Sequence, residues 1–252
     1  MNTKIVCKLC RSDKNEVFQK FGDYTYYTCK RCEAIYSVKS ISADDAAATY
    51  LDDPLNYLKT VNPEGQFWIL DAFERMYFNT SKGHERGKLL EIGAGVGYWD
   101  LMALARGWEV NGIETSKKSA KFARDVFKIP VENCYLQDYS PIEKFDAVAM
   151  IEVIEHIDDP LWVIQKLKTL APKGVFFATT PNTKSSHWLL TLDPELPEHW
   201  SRNIYFPDDH VFLFCEKTIK VLARKGKLKK LRVEFFGMGE NHDSNIMFSA
   251  RL

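Results

Sequence analysis

From Lys88 onward the chain alternates short apolar runs with stretches of helical period, and this restricts the fold more than any other feature of the sequence. Apolar runs at 88–92, 109–114, 131–136, 145–151 and 174–180 read as strands, and Tyr98–Arg106, Lys117–Phe127 and Pro160–Leu170 between them read as helices. Near-continuous apolar strands separated by helices bury both faces only in a parallel sheet with helices on each side. A further helix at Glu216–Lys225 precedes two last strands, 229–236 and 244–251. Upstream, Phe67, Leu70, Phe73 and Tyr77 recur at helical spacing and predict a helix over 64–79. The expected class is therefore α/β, a Rossmann-like sheet with helices on both faces.

Ligands of such a sheet bind beyond the carboxyl ends of its strands. The first strand ends in EIGAGVGYWD, Glu91 to Asp100, with glycines at Gly93, Gly95 and Gly97. Gly93 permits a tight turn, and Gly95 permits close approach of the backbone to a ligand. A nicotinamide-dinucleotide fingerprint would require Gly or Ala where Tyr98 stands; here the third glycine arrives one residue early. Two further acids follow strand ends. Glu114 closes the second strand, where it could accept both hydroxyls of a ribose, and Asp138 follows the third, where it could receive an adenine amino group. Any one of them could be a solvated loop carboxylate, but together they ring one nucleoside pocket.

At the front, CKLC and CKRC place Cys7, Cys10, Cys29 and Cys32 in two C-x-x-C pairs separated by 18 residues. This spacing fits one tetrahedral, structural zinc ion. Phe21-Gly22-Asp23 reads as the turn of a hairpin that brings the pairs together. So short a segment cannot fold on an apolar core of its own, so the metal must supply the folding energy. Cys134 and Cys215 have no such partners and read as core residues. The organisation expected is a zinc ribbon at 1–45, a helical linker and pocket cover at 46–84, and a main domain at 85–252. Within the main domain, 182–209 carries four aromatics and two His-Trp pairs and reads as a lid or acceptor-binding insertion.

EIGAGVGYW, then GIETS, LQDYS and FDAVAMIEVIEHIDDP, in that order, resemble the motif series of class I S-adenosylmethionine-dependent methyltransferases. The resemblance covers about residues 85–252. It implies a seven-stranded sheet whose last strand is antiparallel, with S-adenosylmethionine held by the glycine turn. It further implies that Glu91, Gly93 and Gly95, with Gly97 and Tyr98 beside them, face the methionine part, Glu114 the ribose, and Gln137 and Asp138 the adenine. An N-terminal zinc ribbon before this domain resembles methyltransferases of sugar and natural-product pathways. The run Glu152, Glu155, His156 resembles the divalent-metal ligands of ubiquinone-pathway O-methyltransferases and of small-RNA 2′-O-methyltransferases. In the RNA enzymes a downstream histidine completes the set, a role open to His210. These four residues are the expected catalytic group, either as bases or as ligands of Mg2+; an imidazole can accept a hydroxyl proton near neutral pH.

The expected activity is O-methylation of a small-molecule or sugar-type acceptor. Methylation of RNA is the second reading, with the basic run ARKGKLKKLR at 223–232 its one local support, and a non-catalytic cofactor-binding module is the third. Lys+Arg and Asp+Glu both number 34, and this neutrality counts against a dedicated nucleic-acid binder. No apolar stretch long enough to span a membrane and no secretory leader are visible in the sequence, and a cytoplasmic enzyme is expected.

Overall fold

The structure, a computed structural model, describes residues 5–21, 24–38, 53–81, 85–185, 210–237 and 243–252. In chain order the elements are β1 (Asn15–Phe21), β2 (Tyr24–Cys29), β3 (Ile35–Ser37), α1 (Pro54–Thr60), α2 (Pro63–Thr80), β4 (Lys88–Ile92), α3 (Tyr98–Ala105), β5 (Glu109–Glu114) and α4 (Lys117–Phe122). A π-helical turn at Ala123–Phe127 extends α4, and then come β6 (Val131–Asn133), β7 (Ala147–Ile151), a 3-10 turn at Ile154–His156, and α5 (Pro160–Leu170). The chain continues with β8 (Val175–Pro181), β9 (Phe212–Leu213), α6 (Glu216–Lys225), β10 (Lys229–Phe236) and β11 (Asn245–Arg251). Among the described residues no helix is long and apolar enough to cross a membrane.

Local chemistry sets several boundaries. Asp53 and Asn62 each precede a proline and cap the helix that follows, Asp53 Oδ1 accepting from Leu55 N and Asn62 Oδ1 from Gly65 N. Proline at the first helical position sacrifices only an N–H that would have lacked a partner. The main sheet has strand order β10-β11-β8-β7-β4-β5-β6, with β4 parallel to both β5 and β7 and the last strand, β11, antiparallel. The short link from β10 to β11 makes a hairpin, since a parallel crossover needs a dozen residues or more. Strand β6 stops at Asn133, short of the expected 136: it pairs with β5 only through Glu114, and a turn closed by Asp138 N to Tyr135 O then leads the chain away.

The described residues gather into two compact units. One lies within 43–151, 165–177 and 249–252. Its core is an aromatic cluster around α2, with Phe73 at 5.4 Å from Trp99 and 5.5 Å from Phe177, both edge to face, and 5.1 Å from Trp108, tilted, ring centre to ring centre. Beside it the buried Glu74 takes two bonds from Arg86 (2.6 and 3.1 Å), one from Arg106 and one from Trp108 Nε1 (2.9 Å), so the charge is buried fully paired. The other unit lies within 1–42, 152–164 and 178–248. Here the ribbon strands are joined by a later part of the chain: the second sheet has order β1-β2-β3-β9, with Ile35 opposite Leu213 and Tyr36 opposite Phe212. Tyr26, Ile35 and Leu213 form a buried cluster under this sheet.

Candidate active site

The glycine turn begins where β4 ends. Gly93, Gly95 and Gly97 all have positive φ (76°, 54° and 76°), a region costly for any side chain. They differ in what surrounds them. A Cβ on Gly95 would meet nothing within 4 Å, so this is the open side of the turn; one on Gly97 would lie 3.0 Å from Ala123 Cβ, so that glycine serves packing. Gly93 N and Ala94 N both donate to Ile113 O, tying the turn to the end of β5. Glu114 completes the tie: its Oε2 accepts from Gly95 N at 2.8 Å and its Oε1 from Ser116 N at 2.6 Å. Oε1 also accepts from Thr115 Oγ1 at 3.3 Å, while Oε2 retains a second lone pair, so the acid that shapes the turn can still receive a ligand hydroxyl. Gln137 and Asp138 are exposed, in the turn after β6, whose Asn133 sits opposite Glu114. Tyr98 is half-buried at the start of α3.

Two features here escape the sequence pattern. Asp100, in the first turn of α3, is fully buried beside the equally buried Glu91. Burial, then the charge of Asp100, push the Glu91 carboxyl well above the usual range, and burial raises Asp100 to about 7. Gly112, inside β5, is needed for clearance: a Cβ there would stand 2.8 Å from Ala94 Cβ and 3.2 Å from Asp100 Oδ2. Gly112→Ala is expected to destabilise the protein by about 1–3 kcal/mol through overpacking and to weaken nucleoside binding by shifting Ala94. Urea unfolding and calorimetry check it; unchanged values in both would refute the clearance argument.

The second cluster belongs to the other unit. After β7 the backbone makes a sharp reversal at Glu152, whose φ of 53° is unusual for a residue with a side chain, steadied by Glu152 N donating to Thr179 Oγ1 at 3.0 Å. The Glu152 side chain is exposed to solvent, but protein atoms around its carboxyl desolvate it and raise it to about 7. The 3-10 turn then presents Glu155 and His156. Glu155 is fully buried; burial, then the Glu152 charge, push its pKa well up, and the neighbouring Thr180 hydroxyl only partly opposes them. His156 and His210 pack edge to face with ring centres 4.8 Å apart. One donor atom each from Glu155, His156 and His210 lies within 4.8 Å of the others, and Glu152 is outside that set. His210 is held by the ribbon: Tyr26 Oη donates to His210 O at 2.6 Å, while the next residue, Val211, donates its N–H to Glu155 O and accepts from Ser37 N.

The four cysteines also converge. Cys7 Sγ is 3.6 Å from Cys32 Sγ, and Cys10 Sγ is 3.4 Å from Cys29 Sγ. These are close to the edge of a tetrahedron with Zn–S bonds of about 2.3 Å, roughly 3.8 Å, and all four thiols are free of disulfides. The two knuckles share a backbone shape: Arg11 and Glu33, each following the second cysteine of its pair, both have φ of 61°, and each donates its N–H to the carbonyl of the first cysteine. The site fits a small zinc centre. Thr218 Oγ1 donates to Cys32 O and Lys8 pairs with Asp158 at 2.7 Å, fixing both knuckles to the rest of their unit. Of the two remaining cysteines, Cys215 is buried, while Cys134 is half-buried rather than in the core. The lid expected at 182–209 lies, from residue 186 on, outside the described residues.

A sequence profile described as "Methyltransferase domain" matches residues 50–231, and the chain belongs to that family. The ubiquinone biosynthesis O-methyltransferase of Idiomarina loihiensis is 30% identical over 51% of this chain and 58% of its own length. That of Neisseria meningitidis serogroup C is 27% identical over 74% of this chain and 87% of its own. The chain thus spans little more than half the length of the first of these relatives. Among solved structures, the plantazolicin methyltransferase BpumL in complex with a triazolic desmethylPZN analog and SAH shares the fold with a TM-score of 0.64 at 16% identity, covering 82% of this chain and 95% of that one. A SAM-dependent methyltransferase from Archaeoglobus fulgidus does so with a TM-score of 0.55 at 18% identity, covering 73% and 93%.

Proposed function

We propose that the chain is an S-adenosylmethionine-dependent methyltransferase acting on a hydroxyl of a small-molecule or sugar-type acceptor. The observation that carries this reading is the tie between the open glycine turn and Glu114, which fits a ribose beside a backbone kept free of side chains. The relatives' printed name supports oxygen as the acceptor atom. Bound S-adenosylmethionine supplies an already activated methyl group, so the protein's work is binding, alignment and removal of the acceptor's proton. In this reading Glu114 binds the ribose, Glu91 faces the positively charged end of the cofactor, and Gln137 and Asp138 take the adenine. His156 and His210 handle the acceptor proton.

The grouping of the buried Glu155 carboxyl with two imidazoles favours a divalent cation held by Glu155, His156 and His210, because a bound cation would keep that carboxyl ionised despite its burial. Such an ion would lower the pKa of the acceptor hydroxyl; the carboxylate suits magnesium or manganese, and the two imidazoles suit iron better than magnesium. Cys7, Cys10, Cys29 and Cys32 hold one structural zinc.

Calorimetry with S-adenosylmethionine tests the assignment. Glu114→Ala loses a charged acceptor worth about 1.5–3 kcal/mol, which is a weakening of roughly 10- to 100-fold. Binding of NAD in place of S-adenosylmethionine, or wild-type affinity in Glu114→Ala, would count against it. Mass spectrometry of products from a hydroxyl-bearing metabolite panel would then identify the acceptor.

A further inference from the structure

The cofactor-side unit holds one group that the proposed chemistry does not use. Asp100 is fully buried, and neither of its oxygens accepts a hydrogen bond from any described donor; the same is true of Glu91 Oε2. The two carboxyls interact directly with each other. Two carboxylates side by side and fully buried resist being ionised together, and one proton between them turns two unpaired acceptors into one hydrogen bond. Asp100 stands in the first turn of α3, where the helix dipole favours the negative form, so Asp100 keeps the charge and Glu91 the proton.

We propose that Asp100 is a positioning residue of the cofactor site: it shares one proton with Glu91 in the free protein, and the pair releases that proton when the positively charged cofactor binds. The inference rests on the S-adenosylmethionine reading above. Among the described residues, the charged and titratable groups that face the pair are Glu114 from β5 and Tyr57 from α1, which packs on α4. None of them is a cation. S-adenosylmethionine brings an ammonium and a sulfonium into this acidic setting, and its demethylated product brings the ammonium. Either positive charge favours the doubly ionised pair and expels the proton. 5′-Methylthioadenosine offers the same nucleoside without either charge and leaves the proton where it is.

The sign of the pH effect follows from linkage. Because binding releases a proton, affinity rises as pH rises, by up to tenfold per unit while a whole proton is lost, and flattens once the free pair has titrated. The experiment is calorimetry at pH 6.5, below the ordinary titration of an α-amino group, in buffers of different ionisation enthalpy. S-adenosylmethionine and its demethylated product should each release roughly one proton, and 5′-methylthioadenosine close to none. Asp100→Asn should abolish the release while still binding the cofactor. Equal release by the neutral nucleoside, or unchanged release in Asp100→Asn, overturns the proposal. If Asp100→Asn fails to fold, Glu91→Gln and the wild-type buffer series decide it. Binding of S-adenosylmethionine without proton exchange defeats this inference alone; no binding at all defeats the methyltransferase reading with it.

Discussion

Cys29→Ser is expected to leave the protein without bound zinc and without an ordered His210. A structural zinc site of this kind contributes on the order of 10–16 kcal/mol to folding, against about 5–15 kcal/mol of net stability for a typical domain. The ribbon's apolar support is small: a cluster of Tyr26, Ile35 and Leu213 with Phe18 and Tyr24 beside it, and Tyr36 stacked on Phe212. Loss of the metal should therefore unpair β3 from β9, free the Tyr26 Oη bond to His210 O, and release the backbone that holds Glu155 O through Val211. Elemental analysis should show zinc falling from one ion per chain to none. Limited proteolysis should then cut near residues 30–40 and 210–215, while sites in 88–151 stay protected. A zinc-free variant with wild-type protection in both places would show that the cysteines are dispensable to the fold.

His156→Ala is expected to lower turnover by about 10²–10⁴-fold, the usual scale for losing a proton-transfer group, while cofactor affinity stays within a few-fold of wild type. The two mechanisms separate by metal. If Glu155, His156 and His210 hold an ion, mild chelation abolishes activity, manganese restores it, and Glu155→Gln weakens manganese binding measured directly by calorimetry or electron paramagnetic resonance. If the imidazoles act as bases alone, chelation has no effect so long as the zinc ribbon remains loaded. Full turnover in both His156→Ala and His210→Ala would remove this cluster from the chemistry.

The readability of these features in the sequence followed the length scale of each signal. The helices at Pro160–Leu170 and Glu216–Lys225 and the strand 229–236 match their patterns end to end, because each holds enough residues to display its period. The glycine turn and the cysteine pairs are legible for another reason: positive φ and metal geometry demand particular residues at fixed spacing. The pairing of β3 with β9 is not legible, since strands of three and two residues carry no period and their partnership spans most of the chain. Asp100 is equally opaque. In sequence it is an ordinary acid in the first turn of a helix, and only the packing of Ala94 and Gly112 around it reveals its burial. Gly112 reads as a weak spot in a strand until the neighbour that requires it is known.

The β3–β9 pairing also bears on how the chain is made. The meander β1-β2-β3 and all four cysteines leave the ribosome before residues 212–213, so zinc can be captured before that strand is synthesised. Until then one side of β3 is an open sheet edge, with backbone N–H and C=O groups ready to pair with a strand of another molecule. A nascent chain that stalls, or a truncation ending before Phe212, would present that edge indefinitely. Expression of such fragments should therefore yield zinc-loaded but self-associating protein, and the short strand Phe212–Leu213 acts as the clasp that ends the exposure.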